Sequence, residues 1–391
     1  MKILLIANSI KGGAGKACFR LYEALLMNNN QVKILFLEGD NGGDENIVPF
    51  YTKKSKLFLK QLYNSPLLFL KQFLFGTLKT NYRLPFSFHN PQDHDLCKWA
   101  DIINLHWVPE FIDYKSFFKN LDKPVVWTMH DMLPFSGGYH YLTERSTVDI
   151  KIEKKIEKIK NHAIKNSVIS IVAPSSWLTN ISKSNSIFSK FSHQHIFNPL
   201  PLNIYKPLDR KYARNCFNLP IDKKIIVFAA DNISSKRKGL KFLLGAIKLL
   251  ENKENLFFVS IGRNKLKFDT DVPYRHLGSF NDDLSIAILY SAANLSIVPS
   301  LEDNSPNSII ESLSCGCPIV GFNIGGIPEL INNKNLGFLC EVGEIELANS
   351  IKKALNFNFS RDIIRNFAEN TFSYKTVSKS YVSNFRKLLN N

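Results

Sequence analysis

The chain has 391 residues, of which 45% are hydrophobic and 21% charged, and lysine and arginine exceed the acidic residues by 50 to 34, for a net charge of +16. This composition excludes disordered and collagen-like chains, and the length predicts two domains because a single core seldom grows beyond roughly 250–300 residues. The charge favours phosphate-bearing partners, which include nucleic acid, anionic lipid and nucleotide-linked substrates.

The first half of the chain shows short aliphatic runs separated by segments of helix length. This alternation predicts βαβ units and a parallel sheet, with strands at Lys2–Asn8, Val32–Leu37, Asp101–Leu105, Val125–Met129 and Val168–Ala173. The N-terminal run lacks a signal-peptide pattern, and the six cysteines fit no standard zinc or redox motif. We therefore expect a cytoplasmic protein.

A basic, aromatic insert follows the second predicted strand. Residues 46–92 contain no Asp or Glu, whereas seven basic residues alternate there with Phe, Leu and Tyr: Lys53, Lys54, Lys56, Lys60, Lys71, Lys79 and Arg83. Two interpretations stay open. The insert forms core helices whose lysines extend to water, or it docks on an anionic membrane surface, where each basic residue contributes about 1 kcal/mol.

Two further features of the first half concern helices and strand ends. Lys151–Lys165 repeats Ile among Lys and Glu at helical spacing, which predicts a solvent-exposed amphipathic helix. The run from Gly12 to Gly15, with Gly13 inside it, follows the first strand and precedes a helix. A backbone without side chains can approach a phosphate or sugar closely. A plain tight turn is equally compatible with the pattern.

The strand pattern restarts after Asn198–Pro201, a proline-containing stretch that we interpret as a linker. Further strands are predicted at Ile225–Ala229, Leu256–Ile261, Leu295–Val298 and Pro318–Phe322. Two doubly wound units in succession predict a ligand cleft, because open α/β sheets bind ligands beyond the carboxyl ends of their strands.

The most informative segment is Val298–Glu329, in which a strand end, a polar loop and a helix are followed by another strand and a Gly-Gly turn. Polar residues at the helix start would direct backbone N–H groups and the positive helix end toward a phosphate or sugar. Glu311, inside the helix, could accept hydrogen bonds from hydroxyl groups of such a ligand. The polar residues concerned are Asp303, Asn304, Asn307 and Ser308.

A second segment, Phe228–Gly239, leads from a strand through a polar loop to a Lys-Gly pair. Arg237 and Lys238 stand at its end. A phosphate-bearing ligand at this strand end would need its negative charge neutralised by a metal or by fixed cations such as these, although a solvent-exposed basic turn or a phosphate patch for nucleic acid is the alternative. Since the sequence contains no evident metal motif, we expect these cations to act without a metal or other cofactor.

Together, these segments resemble retaining glycosyltransferases of family 4, which have the GT-B fold. The resemblance implies two Rossmann-like domains facing an interdomain cleft: an acceptor-side domain at 1–200, a donor-binding domain at 205–370 and a helix at 371–391 that returns to the first domain. It implies a nucleotide-sugar donor, a glycan or lipid-linked glycan acceptor and a role in surface polysaccharide biosynthesis.

The same resemblance assigns roles to individual residues. His130, at a predicted strand end, is similar to a histidine that contacts the transferred sugar, and Asp131 and His106 are expected on the acceptor side. Asp303 and Glu311 occupy the family's acidic motif, with Asp in place of the usual first glutamate. Lys238 matches a phosphate-binding lysine, but the arginine usually found just after the strand is missing, and Arg237 is the candidate to replace it.

Several other functions remain open at this point. A nucleotide-sugar epimerase would share the fold and release a free sugar isomer. A phosphorylase would need a lysine that binds pyridoxal phosphate, and no such site is evident in the sequence. A nucleic-acid-binding protein would leave the donor-like loops unexplained. The Asp substitution and the missing arginine also keep open a non-catalytic glycan-binding homologue.

Overall fold

The computed structural model describes residues 1–51, 82–145, 150–264 and 270–390. The chain divides into unit 1, which comprises Met1–Phe197 with Val377–Asn391, and unit 2, which comprises Asn198–Thr376. The lysines of the basic insert lie outside the described residues, and so the two interpretations of that insert stay predictions. Among the described residues, no helix is long and apolar enough to cross a bilayer.

Unit 1 contains a parallel sheet with the strand order β3-β2-β1-β4-β5-β6-β7. Its strands are β1 (Lys2–Ala7), β2 (Gln31–Glu38), β3 (Ile47–Tyr51), β4 (Ile102–Leu105), β5 (Val125–Thr128), β6 (Ile169–Ala173) and β7 (Ser192–His195). Its helices are α1 (Gly12–Leu26), α2 (Asp95–Trp99), α3 (Tyr114–Asn120), α4 (Ile150–Ala163) and α5 (Ser176–Ser184).

The sheet of unit 1 is covered on both faces, which explains why its central strands are continuously apolar. Neighbouring side chains of β1 point to opposite faces, so that Leu4 packs in one core cluster and Leu5 in the other. The second cluster also contains Tyr381 and Phe385. These residues belong to the last helix, which therefore packs on the sheet of unit 1 as the fold prediction states.

Unit 2 contains a second parallel sheet with the order β10-β9-β8-β11-β12-β13. Its strands are β8 (Lys224–Asn232), β9 (Leu256–Arg263), β10 (Tyr274–His276), β11 (Leu295–Val298), β12 (Ile319–Phe322) and β13 (Gly337–Cys340). The helices that follow α5 along the chain are α6 (Arg210–Cys216), α7 (Leu240–Lys248), α8 (Asp283–Ala292), α9 (Asn307–Ser314), α10 (Ile327–Leu330), α11 (Glu344–Asn356), α12 (Arg361–Phe372) and α13 (Tyr374–Leu389).

Helix α4 differs from its prediction as a solvent-exposed helix. Its residues Glu153, Ile156 and Lys160 are almost fully buried, at a spacing of three and four that places them on one face. The charge pattern was misleading because two of the charged residues have partners inside the fold. The Glu153 carboxylate accepts hydrogen bonds from Tyr82 and Arg145.

Candidate functional site

Three neighbouring strands of unit 2 carry their loops to the same edge of the sheet. β8, β11 and β12 are adjacent, and the chain continues from each carboxyl end into a polar loop. The first two loops touch through their backbones, because Leu301 N–H donates to the carbonyl of Arg237 at 2.7 Å. Gly239 adopts a left-handed conformation (φ 71°), and a Cβ there would overlap the carbonyl oxygen of Pro299. Only glycine permits this approach.

The side chains of these loops converge on the carboxylate of Asp303. Lys238 Nζ lies 2.6 Å and Arg237 Nη1 3.3 Å from its Oδ2 atom, and Arg237 also donates to the carbonyl of Glu302. Burial by itself raises the pKa of Asp303, but the two cations and the hydrogen bonds from Lys238 and Ser300 outweigh burial and lower it. Asp303 is therefore ionised at neutral pH and holds the two cations in place.

The third loop fixes the backbone of Asp303. Gly326 N–H donates to the carbonyl of Asp303 at 3.0 Å. The preceding residue, Gly325, is left-handed (φ 61°), and a Cβ there would overlap the same carbonyl. The Gly-Gly turn that stood out in the sequence thus has a structural role, since it allows the β12 loop to lie against the acidic loop.

The predicted helix after the acidic loop is α9. Asn307 and Ser308 are its first two residues and half-buried, whereas Asn304 and Glu311 are buried. The positive end of the helix dipole lies at this end of α9. At the opposite end, Arg365 donates to the carbonyl of Ser314 at 2.9 Å, and a cation at that end stabilises the helix. The structure therefore places Asn304, Asn307, Ser308 and Glu311 at the start of a helix as expected, and anion binding there stays a prediction.

The structure also reveals a cation that the sequence analysis missed. Arg263, at the end of β9, pairs with Asp231 through Nη2 and Oδ2 at 2.5 Å, and both side chains are mostly exposed. Asp231 lies near the position, just after β8, where the sequence analysis expected an arginine and found none. The guanidinium of Arg263, on the neighbouring strand β9, lies beside this position. No motif links the two residues, which are 32 positions apart, and only the pairing of β8 with β9 brings them together.

In unit 1, helix α1 begins at Gly12, and Gly13 is its exposed second residue. A Cβ at Gly15 would overlap the backbone of Ser9 and Ile10, so this glycine is required by close packing of the turn against the helix. A donor contact at Gly13 stays a prediction.

His130 lies just beyond β5 and forms a pair with His106. His106 Nδ1 and His130 Nε2 are 3.0 Å apart, and the two rings are stacked with an interplanar angle of 26°. Burial lowers the pKa of His130 to about 4, despite the opposing charge of Asp131. Burial, together with His130, also lowers the pKa of His106. Both rings are therefore neutral at neutral pH.

Asp131 acts as an acceptor for three donors. Its Oδ2 atom accepts from Trp107 Nε1 at 3.2 Å and contacts His140 Nδ1 at 2.7 Å, while Oδ1 accepts from the backbone N–H of Leu133 at 2.9 Å. Burial raises the pKa of Asp131, but His140 and the backbone hydrogen bond lower it by more. The carboxylate thereby orients Trp107 and His140, whose rings stack with centroids 5.9 Å apart.

Lys160 secures the loop that carries these residues, a role that sequence reasoning missed. Its ammonium donates to the carbonyls of Leu133 at 2.6 Å and Ser136 at 2.8 Å, and the side chain is 1% exposed. Desolvation lowers the pKa of Lys160 to about 7, against the charges of Asp131 and Glu157. A small cavity in unit 1 is bordered by Lys160, Asp131, His130 and His106.

The predicted residues thus form two groups. Lys238, Arg237, Asp303, Asn304 and the start of α9 belong to unit 2, and His130, His106 and Asp131 belong to unit 1. The roles assigned to each residue, and the cleft between the two domains, stay predictions.

Residues 223–356 match the family described as "Glycosyl transferases group 1". The chain is 24% identical over 210 residues to D-inositol 3-phosphate glycosyltransferase of Mycobacterium tuberculosis, a match that covers 48% of this chain and 42% of the relative. The chain thus spans less than half the length of the curated relatives it matches.

Solved structures share the whole fold at low identity. A glycosyltransferase from Rickettsia africae has a TM-score of 0.70 at 16% identity, covering 100% of this chain and 99% of that one. HepE of Anabaena, in complex with UDP and glucose, has a TM-score of 0.68 at 18% identity, covering 99% and 100%. Sucrose-phosphate synthase of Thermosynechococcus elongatus has a TM-score of 0.68 at 16% identity, covering 100% and 99%. The chain has the GT-B fold, and residues 223–356 of its second unit match the glycosyl transferases group 1 family.

Proposed function

We propose that the protein is a retaining glycosyltransferase that moves a sugar from a nucleotide-sugar donor to a glycan or lipid-linked glycan acceptor in surface polysaccharide biosynthesis. Unit 2 binds the donor, and unit 1 supplies His130 and binds the acceptor. Since HepE of Anabaena is described with UDP and glucose, UDP-sugars are the first donors to test.

The observation that carries this proposal is the cluster of Lys238, Arg237 and Asp303 at the carboxyl ends of the strands in unit 2. The cluster contains two cations, each 22–23% exposed, around one ionised carboxylate. It lies next to the N-terminus of α9, and the nearby Ser305 Oγ is buried with no hydrogen-bond partner among the described residues. Two cations, the positive end of a helix dipole and a buried hydroxyl are suitable ligands for a diphosphate.

The same cluster suggests how the leaving group is stabilised. As the bond to the sugar breaks, negative charge grows on the diphosphate, and fixed cations that are already oriented stabilise that charge without reorganisation. Asp303 keeps Lys238 and Arg237 ordered before the donor arrives. We propose that this arrangement replaces a metal ion, and that the leaving phosphate helps to deprotonate the acceptor hydroxyl, so that no covalent enzyme nucleophile is needed.

On the acceptor side, the stacked pair of Trp107 and His140 offers an aromatic surface of the kind that packs against the apolar face of a sugar. Both side chains are half-buried, and Asp131 holds them in a fixed orientation. We therefore assign Asp131 to orienting this platform, a role that its three occupied acceptor contacts favour over that of a general base.

The decisive experiment incubates the purified protein with UDP-, GDP- and ADP-sugars and a panel of glycan acceptors. Thermal shifts identify the base, because ligand binding raises the stability of the folded state, and NMR of the product gives its anomeric configuration. A retained configuration supports the proposal. A free sugar isomer formed without acceptor would indicate an epimerase, and donor or glycan binding without turnover would indicate a non-catalytic homologue.

Lys238→Ala and Lys236→Ala form a matched pair for the site itself. Lys238 contacts Asp303, whereas Lys236 is exposed in the same turn. We expect Lys238→Ala to lower kcat more than it raises KM, because the charge on the diphosphate is greatest as it leaves, and Lys236→Ala to retain activity. Equal loss in both variants would contradict a specific role for Lys238.

Peripheral association with an anionic membrane is a separate proposal, which rests on the sequence of the basic insert. Reversing the charges of Lys53, Lys54, Lys56 and Lys60 should release the protein from anionic liposomes in co-sedimentation at low salt. Unchanged binding by the variant, or no binding by the wild type, would contradict it.

A further inference from the structure

A chain of hydrogen bonds inside unit 1 begins at a backbone carbonyl and ends at His130. Asn104 Nδ2 donates to the carbonyl oxygen of Val126 and to Thr128 Oγ1, both at 2.9 Å. Asn104 Oδ1 lies 3.1 Å from His106 Nε2. His106 Nδ1 in turn lies 3.0 Å from His130 Nε2. Asn104 and His106 are both buried, so water does not compete for these groups.

The carbonyl of Val126 fixes the direction of every bond in this chain. A carbonyl oxygen only accepts, and so the amide NH₂ of Asn104 must face it, which leaves Oδ1 toward His106. His106 Nε2 must then carry a proton. A neutral imidazole has one N–H, and therefore His106 Nδ1 accepts, and His130 Nε2 must donate to it.

We infer that Asn104 and His106 are positioning residues that hold His130 as its Nε2–H tautomer, in which Nδ1 is unprotonated and can only accept a hydrogen bond, as a contact with a sugar hydroxyl requires. This role rests on the proposed function for the sugar contact, but not for the tautomer, which the hydrogen bonds determine in the free protein. The low pKa values of both histidines support it, since a protonated His106 would donate from both nitrogens and reverse the last bond.

The last helix takes part in the same network. Tyr381 OH lies 3.1 Å from Thr128 Oγ1, and both side chains are buried. Helix α13 thereby supports the end of β5, from which the chain leads directly into His130.

The test is the tautomeric state of His130, measured by two-dimensional NMR that correlates ring protons with ring nitrogens in ¹⁵N-histidine-labelled protein without substrate. The signals of His130 are assigned by their loss in His130→Gln. We expect a protonated Nε2 and an unprotonated Nδ1. A protonated Nδ1 in the wild-type protein would overturn the inference, and this measurement needs no enzymatic activity.

Two variants extend the test. Asn104→Asp places a carboxylate beside His106, which favours the imidazolium form of that ring. His106 then donates from both nitrogens, and the proton of His130 should move to Nδ1. Thr128→Val is the matched control, because it removes one hydrogen bond of Asn104 but leaves the carbonyl of Val126 to fix the amide, and so the wild-type tautomer should persist.

Kinetics connect the tautomer to the proposed function. We expect Asn104→Asp to lower kcat/KM about 10-fold or more, since the lost sugar contact leaves a buried polar group unsatisfied, and the loss should diminish at high pH as His106 becomes neutral. Thr128→Val should lose far less. An unchanged kcat/KM in Asn104→Asp, despite a changed tautomer, would refute the sugar contact. Inactive wild-type protein with the expected tautomer would refute only the proposed function.

Discussion

Lys160→Met tests whether a fully buried amine holds the loop that carries His130 and Asp131. Folding lowers the pKa of Lys160 from 10.5 to about 7, whereas the unfolded chain keeps the ordinary value. Between these two values the unfolded state binds more protons than the folded state. The free energy of unfolding of the wild type should therefore rise with pH, by about 1.4 kcal/mol per pH unit. The free energy of unfolding should increase by about 5 kcal/mol in total between pH 7 and 10.5, and by about 2.7 kcal/mol of this between pH 7 and 9.

Comparison with Lys160→Met isolates the contribution of Lys160 to the pH dependence of stability. The buried tyrosines and cysteines titrate in both proteins, and so their contributions cancel when the two free energies of unfolding are subtracted. Met preserves most of the side-chain volume, but the carbonyls of Leu133 and Ser136 lose their donor. The assay is urea unfolding followed by tryptophan fluorescence. The four tryptophans, Trp99, Trp107, Trp127 and Trp177, all belong to unit 1, so the signal reports that unit.

Lys158→Met is the control, since Lys158 is exposed on the same helix. We expect the stability of the wild type to increase relative to Lys160→Met from pH 7 to 9, and no such trend relative to Lys158→Met. A difference that stays constant with pH would mean that Lys160 remains charged when folded, and the reasoning from its burial would be refuted.

Four further predictions concern the two units. Gly239→Ala should lower the melting temperature and abolish donor binding, because a Cβ there overlaps the carbonyl of Pro299; normal donor affinity in calorimetry would show that the close approach of the loops is dispensable. Glu311→Ala should weaken donor binding by about 1.5–3 kcal/mol if it removes a charge-assisted hydrogen bond, and calorimetry that finds no change would exclude a ribose contact. Transfer activity should persist in EDTA, whereas a complete loss that magnesium restores would rule out the metal-free mechanism. Tyr381→Phe should destabilise unit 1 by about 1 kcal/mol in urea unfolding, the usual net value of one hydrogen bond, and a neutral effect would mean that Thr128 finds another partner.

The sequence was sufficient for the inner strands of both sheets. The nine predicted strands all occur, and they are the strands flanked on both sides. Strands in the middle of a parallel sheet are buried on both faces and consist of continuous aliphatic runs, a signal that needs no knowledge of the partner strands. Within the part of the chain that the structure describes, four strands were missed, and these are the edges of the two sheets: β3, β7, β10 and β13. β7 (Ser192–His195) and β10 (Tyr274–His276) are short and polar, because an edge strand faces less of the core.

The acidic loop and the start of α9 could be identified from the sequence for a related reason. Asp303, Asn304 and Glu311 lie within one contiguous segment, so that local spacing alone places them at a strand end and a helix start. Only the tertiary structure decided what Asp303 contacts. Lys238 is 65 residues away in the chain, and the two meet because β8 and β11 are neighbours in the sheet and glycine permits their loops to touch.

The tertiary structure also reversed expectations in unit 1. The spacing of charges predicted an exposed helix at α4, because a sequence window records that a residue is charged but not whether the fold provides partners for it. Lys160 and Glu153 are buried against a loop that precedes α4 and against Tyr82. In the same way, the sequence marked His130 as a candidate. The proton that it carries on Nε2 depends on Asn104 and on a carbonyl of β5, groups that hydrogen bonding across adjacent strands brings within 3 Å of one another.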